Sequence, residues 1–206
     1  MSDSLERLYL AVIAAKDLDP ATSRTAKLFQ RGPSKMAKKL AEEAIEVVID
    51  AVNGDRDAVI RESADLLYNL TVLWAAAGVR PEDVWREMER REDLLGIAEK
   101  MPKSALKMAK KVAEEAIEVA IDSVNGDADA LIRESADLLY NLAVLWAAAG
   151  VRPADIWREM ERRENLLGMA EKLPKSPLKM PKPEADPVAA RRPIVALEGR
   201  NLRKRH

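Results

Sequence analysis

Two groups of carboxylates in this sequence are spaced as neighbours on helix faces, and they are the residues best suited to do chemistry. The first group falls within an arc of about 100° on a helical wheel, in a segment that is otherwise largely apolar: Glu42, Glu43, Glu46 and Asp50. A single acidic stripe is typical of a solvated helix face. The second group argues against that simple interpretation.

The second group lies in a segment that is otherwise free of charge. Glu62 and Asp65 are the only charged residues in 62–77. With Asn69 they have the i, i+3, i+7 spacing of one helix face. Because so apolar a helix must be buried on most sides, an uncompensated carboxylate there would cost several kcal/mol. The compensation is either a basic residue such as Lys39 or a divalent cation shared with the first group, and we favour the cation.

Carboxylate oxygens without histidine or cysteine are ligands for a hard ion, Mg²⁺ or Mn²⁺. Two antiparallel helices joined by a short turn at 53–55 would bring the two acidic faces together. Such a site suits hydrolysis of a phosphoanhydride, because the cation neutralises phosphate oxygens and lowers the pKa of a bound water.

The composition excludes most other catalytic chemistry. The 206 residues include no cysteine, and the one histidine is His206, so Ser-His-Asp and Cys-His catalysis and the usual zinc sites are excluded. No two of the eight glycines are closer than 18 residues, which excludes a P-loop and a dinucleotide fingerprint. With 48% hydrophobic and 33% charged residues, the chain is typical of a soluble globular protein.

No segment predicts membrane insertion or export. The longest apolar stretch, 66–79, is shorter than the roughly 20 residues that a spanning helix needs. The N-terminus, MSDSLERLYL, lacks the basic-then-apolar layout of a signal peptide. We therefore expect a cytoplasmic protein without a membrane partner. The basic C-terminal segment carries no aromatic residues, so we expect no nucleic-acid partner.

Apolar periodicity and helix-end signals predict an all-α fold. An amphipathic stripe opens the chain at Leu5, Leu8, Tyr9, Val12 and Ile13. Further helices are expected at about 25–30, 35–52 and 57–77 and from Pro81 onward, and the second half of the chain repeats the last three.

The repeat is an internal duplication. Residues 33–104 align with 105–176 without gaps, and 59 of the 72 positions are identical. Two copies of this length are a domain duplication and not a solenoid. We expect a complete unit at 1–104, a second copy at 105–176 that lacks the N-terminal segment, and a basic, proline-rich tail at 177–206 that is extended or disordered.

EExxE at 42–46 followed by ExxD at 62–65 resembles the signature of the MazG-like superfamily of all-α nucleoside triphosphate pyrophosphohydrolases. Within that superfamily, two stretches resemble the phosphoribosyl-ATP pyrophosphatases of histidine biosynthesis: TAKLFQRGPSKMAKKLAEEAIEVVIDAVNGD and RESADLLYNLTVLWAAAGVRPEDVWREMERRE. The likeness covers residues 1–103 and then 106–176.

The resemblance implies Mg²⁺-dependent hydrolysis of phosphoribosyl-ATP to phosphoribosyl-AMP and pyrophosphate by a helical dimer. The implied catalytic residues, one of which would take the proton from the attacking water, are Glu43, Glu46, Glu62 and Asp65. The implied metal ligands are these four, with Glu42 as a further ligand or as a partner of one, and the counterparts Glu114, Glu115, Glu118, Glu134 and Asp137.

The resemblance also implies basic contacts to the phosphates. Candidates at the start of the acidic helix are Lys35, Lys38 and Lys39, although lysines that open a helix are commonly just solvated. Candidates in the unduplicated segment are Lys27 and Arg31, beside Ser23 and Thr25. Asn69 and Asn141 stand where many relatives carry histidine, and Tyr68 and Trp74 are expected in the core.

A fused repeat could form the dimer of the family as an intrachain pseudo-dimer, and the alternative is a homo-oligomer of the chain. We predict that the second half supplies the dimer-like interface and that only the first half has a complete active site. Two other functions stay open. One is a pyrophosphohydrolase of free or noncanonical nucleoside triphosphates, and the other is a non-catalytic helical scaffold.

Overall fold

The computed structural model describes residues 2–95 and 105–167, and within these ranges the chain forms eight α-helices and no strand. In chain order they are α1 (Ser2–Ala15), α2 (Arg24–Arg31), α3 (Pro33–Asn53), α4 (Arg56–Ala77), α5 (Pro81–Leu95), α6 (Ala105–Asn125), α7 (Ala128–Ala148) and α8 (Pro153–Leu167). The all-α class is confirmed, and every helix expected from the sequence is present.

Local hydrogen bonds fix the helix ends that flank the acidic faces. The Ser23 hydroxyl accepts a hydrogen bond from the Ala26 N–H at 3.2 Å and begins α2. The Asp55 carboxylate accepts one from the Ala58 N–H at 2.9 Å and begins α4. Between them, Gly54 ends α3 with a φ of 73°, a conformation that favours glycine. These caps keep the α3–α4 turn short, so the two helices pack side by side.

Each copy of the repeat folds into a helical hairpin followed by a third helix that packs on the other copy. Helix α3 packs along α4, α6 packs along α7, and α3 also packs along α6. The third helices are exchanged, because α5 packs on α7 and α8 packs on α4. Met1–Leu173 therefore forms one compact unit and not one unit per copy. This is the arrangement expected of an intrachain pseudo-dimer.

Two matching hydrogen bonds join the copies in the core. The buried indole N–H of Trp74 donates to the Ser135 hydroxyl at 2.8 Å. The indole N–H of Trp146 donates to the Ser63 hydroxyl, also at 2.8 Å. These residues correspond at the repeat offset, so the two bonds are related by the pseudo-twofold symmetry. The prediction that Trp74 lies in the core is confirmed.

The N-terminal helices cover the first copy. Leu5, Leu8 and Val12 on α1 are buried, and α1 packs chiefly on α4. Tyr68 on α4 is 6% exposed, as expected of a core residue, whereas its counterpart Tyr140 on α7 is 39% exposed. Because residues 1–32 were not duplicated, nearly identical helices lie in different surroundings.

One apolar face of α3 is exposed, although the apolar pattern in the sequence predicts that it is buried. Ile45, Ile49 and Val52 on α3 are about half exposed, although they belong to an otherwise apolar helix. The matching residues on α6 are equally exposed: Ile117, Ile121 and Val124. Periodicity identifies an apolar face, but it does not establish that another helix covers that face.

The predicted domain bounds stay predictions. The expected boundary after residue 104 adjoins residues 96–104, and the expected tail at 177–206 falls outside the described residues altogether. A division of the chain between Leu173 and Pro174 lies close to the predicted start of the tail. Among the helices that the structure describes, none is long and apolar enough to cross a membrane.

Ser135→Ala should lower the free energy of unfolding by about 1–3 kcal/mol, because the buried indole N–H of Trp74 would lose its acceptor. Ser63→Ala, which removes the acceptor of Trp146, should have a similar effect. Urea unfolding measures both changes, with Ser34→Ala at an exposed position as the control. Losses below about 0.5 kcal/mol in both variants, the range of ordinary surface substitutions, would contradict this role.

Candidate functional site

Three carboxylates from α3 and α4 converge in the first copy. One oxygen from each of Glu43, Glu46 and Glu62 lies within 4.8 Å of the other two. Glu43 and Glu46 are one turn apart on α3, and Glu62 faces them from α4. Glu43 is fully buried, and the other two are partly buried. The two acidic faces that the sequence indicates are thus brought together at these three residues.

Glu42 lies outside this cluster. Its carboxylate accepts a hydrogen bond from Lys39 Nζ at 2.5 Å and lies 3.8 Å from Lys38 Nζ. The hydrogen bond from Lys39, with the charges of the nearby lysines, holds the pKa of Glu42 below its ordinary value. Consecutive helical residues point about 100° apart, so Glu42 and Glu43 do not both face α4. The role of Glu42 as a metal ligand or as a partner of one stays a prediction, and in this structure its carboxylate is paired with two lysines.

Asp65 has a basic partner from the second copy. Arg163 on α8 donates from Nη1 to Asp65 Oδ1 at 2.7 Å, and the two side chains are 12% and 5% exposed. Asp65 lies one turn from Glu62 on α4, but it is not among the three converging carboxylates. The sequence leaves a basic compensation open for this helix, with Lys39 as the example. For Asp65 the basic residue is Arg163.

Arg163 and its counterpart Arg91 were not singled out from the sequence. The only available signal was their matching position in the duplicated stretch REMERRE. That position lies in the third helix of each copy, and a repeat offset alone does not say that the third helices are exchanged. The partner of Asp65 therefore follows from tertiary packing and not from local spacing.

A second acidic cluster occupies the matching place in the second copy. One oxygen from each of Glu115, Glu134 and Asp137 lies within 4.8 Å of the others. The carboxyl group of Glu118 lies close enough to that of Glu134 to affect its pKa. Glu114 lies apart from these acids, with Lys110 at 2.9 Å and Lys111 at 3.2 Å, and so repeats the environment of Glu42.

Crowding of these acids favours protonation. Burial raises the pKa of Glu134 to about 7, together with the hydrogen bond to Glu118 and the negative charges of Glu118, Asp137 and Glu115. Burial also raises the pKa of Glu115, and the charges of Asp137 and Glu118 add to that effect. The second cluster therefore holds a proton near neutral pH when no cation is bound.

The candidate phosphate-binding residues lie near the corner between α2 and α3, two helices that pack together. Lys38 and Lys39 lie beside Glu42, and Lys35 lies one turn before Lys39. Lys27 and Arg31 are exposed on α2. The five side chains thus belong to adjoining elements, and their role in phosphate binding stays a prediction.

Helix α2 is attached beside the acidic face of the first copy. The hydroxyl groups of Thr25 and Tyr68 form a buried hydrogen bond of 2.7 Å. Because Tyr68 lies one turn along α4 from Asp65, this bond places the start of α2 next to the acidic face. Residues 1–32 have no second copy in the sequence, so Tyr140 has no corresponding α2.

Asn69 and Asn141, which stand where many relatives carry histidine, each donate a hydrogen bond to the backbone of their own helix. The Asn69 side-chain amide donates to the Asp65 backbone carbonyl at 2.9 Å, and Asn141 does the same to the Asp137 carbonyl. The amide groups are therefore engaged with the backbone one turn earlier, and both asparagines keep the same conformation in the two copies.

The donor set in the first copy fits a hard divalent cation. Three carboxylates at this separation repel one another unless a proton or a cation offsets their charge. The converging ligand atoms are all carboxylate oxygens, which are the donors that Mg²⁺ and Mn²⁺ prefer. The residues present are therefore compatible with such an ion.

Two helical hairpins with exchanged third helices, each carrying an acidic cluster, define an all-α protein of the MazG-like class. A sequence profile of the phosphoribosyl-ATP pyrophosphohydrolase family matches residues 5–92 and again residues 97–164. The chain belongs to this family. The double match confirms both the family resemblance and the tandem duplication.

Individual relatives agree with this assignment. A protein from Bradyrhizobium diazoefficiens named phosphoribosyl-ATP pyrophosphatase 2 is 89% identical over 110 residues, which are 53% of this chain and 82% of that protein. A protein of the same name from Rhodopseudomonas palustris is 84% identical over 106 residues, 52% of this chain and 81% of its own. A phosphoribosyl-ATP pyrophosphatase from Azospirillum brasilense is 58% identical over 96 residues, which are 47% of this chain and 86% of that protein. No solved structure gives a significant match.

In the metal-free protein, the contribution of Glu134 to the free energy of unfolding should fall as the pH rises. Its pKa of about 7 in the folded state exceeds the ordinary value of 4.5, so the folded state binds this proton more tightly than the unfolded state. The resulting stabilisation is complete below about pH 4.5 and is lost as the pH passes 7. Glu134→Gln mimics the protonated side chain and should be more stable than the parent at pH 8, by about 1 kcal/mol after solvent screening.

Thermal unfolding in EDTA between pH 4.5 and pH 8 measures this difference. The two proteins should have nearly equal stability at pH 4.5 and diverge toward pH 8. Glu161→Gln, at an exposed position on α8, is the control and should follow the parent throughout. A stability difference between Glu134→Gln and the parent that stays constant with pH would contradict the assignment.

Proposed function

We propose that the chain hydrolyses phosphoribosyl-ATP to phosphoribosyl-AMP and pyrophosphate in histidine biosynthesis. The observation that carries the proposal is the convergence of Glu43, Glu46 and Glu62 on one point in a chain of this family. The names of the close relatives support the choice of substrate. The absence of cysteine, with a single histidine at the end of the chain, leaves carboxylates as the main catalytic groups.

Glu43, Glu46 and Glu62 would hold Mg²⁺ or Mn²⁺ in the first copy. When bound, such a cation neutralises phosphate oxygens and makes a coordinated water more acidic. Asp65 extends the acidic face by one turn of α4 and is oriented by Arg163. We assign the catalytic carboxylates to this face.

The reaction consumes one water. Its oxygen attacks one phosphorus of the α–β anhydride, and the bond from that phosphorus to the bridging oxygen breaks. The products are phosphoribosyl-AMP and pyrophosphate, and the bridging oxygen stays with the product whose phosphorus was not attacked. A carboxylate of the acidic face accepts the proton of the water. The carboxylates lie on two packed helices and not on a loop, so the water and the anhydride meet groups that are already positioned.

Basic side chains at the α2–α3 corner would bind the triphosphate. Those proposed are Lys27, Arg31, Lys35, Lys38 and Lys39. Glu42 contributes indirectly, because its ion pairs with Lys38 and Lys39 restrain the two ammonium groups near the start of α3.

We propose that the first copy alone turns over the substrate. Its α2 is attached beside the acidic face by the bond between Thr25 and Tyr68. In the second copy the matching Tyr140 is 39% exposed, and the high pKa of Glu134 makes a bound cation compete with a proton. The second copy contributes the interface on which the first depends.

Pyrophosphate release should be at least about tenfold faster from phosphoribosyl-ATP than from dUTP or ATP, because a site that hydrogen-bonds the phosphoribosyl group loses those bonds with the smaller nucleotides. EDTA should abolish release, and added Mg²⁺ should restore it. A preference for dUTP or ATP would replace the proposed substrate with a free nucleoside triphosphate. No release from any of the three with Mg²⁺ would favour a scaffold.

Paired substitutions test the asymmetry between the copies. Glu43→Gln with Glu46→Gln should lower kcat at least about a hundredfold, since both ligands belong to the active cluster. Glu115→Gln with Glu118→Gln, at the matching positions of α6, should leave more than about half of the activity, because only the inactive cluster changes. Steady-state kinetics of the purified variants give both values, and equal losses in the two variants would refute the asymmetry.

A further inference from the structure

An arginine from each copy contacts the acidic face of the other copy. Arg163 on α8 donates from Nη1 to Asp65 Oδ1 at 2.7 Å and from Nη2 to the Arg61 backbone carbonyl at 2.9 Å. Its Nε donates to Glu159 Oε1 at 2.8 Å. One planar guanidinium thus joins a carboxylate and a backbone carbonyl of α4 to a carboxylate of its own helix.

The same set of contacts occurs on the other side of the pseudo-dimer. Arg91 on α5 donates to the Asp137 carboxylate and to the Arg133 backbone carbonyl. Its Nε donates to Glu87 Oε1 at 2.8 Å. All four residues correspond to those around Arg163 at the repeat offset. The arrangement is therefore a feature of the exchanged third helix and not of one surface.

A glutamate on the same helix orients the guanidinium of each arginine: Glu159 for Arg163 on α8, and Glu87 for Arg91 on α5. Burial acts against ionisation of Glu159, but hydrogen bonds from Arg162 and Arg163 lower its pKa overall. A hydrogen bond from Arg90, followed by one from Arg91, lowers the pKa of Glu87 to about 2. Each arginine is therefore held by a carboxylate that stays ionised, and it meets the acidic face of the other copy in a fixed orientation.

We propose that Arg163 is a positioning residue for the acidic site of the first copy: it orients Asp65, and through Asp65 it determines how well this face binds a divalent cation. The inference rests on the proposed metal-dependent function. It assigns the second copy a specific contribution, because the active site of the first copy needs a side chain from α8.

A role in stability alone accounts poorly for these contacts. The desolvation of a buried ion pair often cancels its attraction, so the pair is a weak means of joining two helices. The contacts of Arg163 with the Arg61 carbonyl and with Glu159 instead fix the plane of the guanidinium, and this fixed plane sets the direction of its hydrogen bond to Asp65. Since Asp65 lies one turn from Glu62 on the same face, its direction affects the field at the cluster.

Cation binding without substrate gives the direct test. A chain carrying Glu115→Gln and Glu118→Gln serves as the parent, so that the first cluster dominates the titration. Isothermal titration with Mn²⁺ alone should show that Arg163→Gln weakens binding at least about tenfold, the usual effect of removing a residue that orients a ligand. Arg163→Lys keeps the charge but not the plane, and it should weaken binding about threefold.

Arg162→Gln is the matched control. Arg162 is the preceding residue on α8 and also binds Glu159, at 2.7 Å, but the bonds to Asp65 and to the Arg61 carbonyl come from Arg163. Its substitution should leave the Mn²⁺ affinity within about twofold of the parent, as expected for an exposed arginine. A loss in Arg162→Gln equal to that in Arg163→Gln would overturn the proposal, because the effect would then belong to Glu159 or to α8 in general.

Kinetics and a double substitution separate positioning from packing. Arg163→Gln should raise the Mg²⁺ concentration needed for half-maximal rate and lower kcat, with little change in KM for the substrate. In a chain that already carries Asp65→Asn, Arg163→Gln should add less than about a twofold effect, since two residues that act through one contact are not additive. If the effects of Asp65→Asn and Arg163→Gln instead multiply, the two residues act independently and the proposal is overturned.

The decisive negative result is a folded Arg163→Gln protein whose Mn²⁺ affinity equals that of the parent. If Arg163→Gln does not fold, an unchanged affinity in Arg163→Lys has the same meaning. These titrations need no substrate. If the unsubstituted chain fails to hydrolyse phosphoribosyl-ATP, the proposed function fails while the Mn²⁺ measurements still decide the role of Arg163.

Discussion

Mutual repulsion among carboxylates is the interaction that the rest of the structure must oppose. Three acidic oxygens lie within 4.8 Å of one another in each copy, a separation at which like charges cost free energy unless a proton or cation is shared. The capped turn between α3 and α4 and the packing of α3 along α6 hold these groups together. At Glu134, burial acts first and the neighbouring carboxylates add to it, and together they raise the pKa to about 7. The helices thus bring the acidic groups together in advance, and the repulsion among these groups is what a bound cation would relieve.

Exchange of the third helices makes the two copies dependent on each other. Helix α8 covers α4 and α5 covers α7, so neither hairpin buries its apolar surface with the residues of its own copy alone. The bonds from Trp74 to Ser135 and from Trp146 to Ser63 repeat this dependence in the core. Two separate chains lose translational and rotational entropy when they associate to form such contacts. In a fused repeat the two copies are linked, so each is present at a high effective concentration for the other.

Local spacing was sufficient to predict the helices and most of the first cluster. Glu43, Glu46 and Glu62 could be found because each lies at helical spacing in an apolar segment. EExxE does not reveal which of two adjacent glutamates turns inward, so the pairing of Glu42 with Lys38 and Lys39 could not be predicted from the motif. The partner of Asp65 could not be found, since Arg163 is 98 positions away and its approach depends on the helix exchange. The exposure of Ile45 and Ile49 on α3 likewise depends on tertiary contacts that a periodic pattern does not contain.

The duplication places the same acidic motif in two different surroundings, so the effect of the surroundings can be compared. Both copies keep EExxE and ExxD, and both keep the arginine that contacts the last acid of the motif. The copies differ in what covers α4 and α7: the pair of Arg163 with Asp65 is 12% and 5% exposed, whereas the pair of Arg91 with Asp137 is 26% and 39% exposed. A charge pair in a drier environment is screened less and holds its geometry more firmly. The carboxylates proposed as ligands are the same in the two copies, but they should therefore act unequally, because α2 packs beside one acidic face and the other face is more open to water.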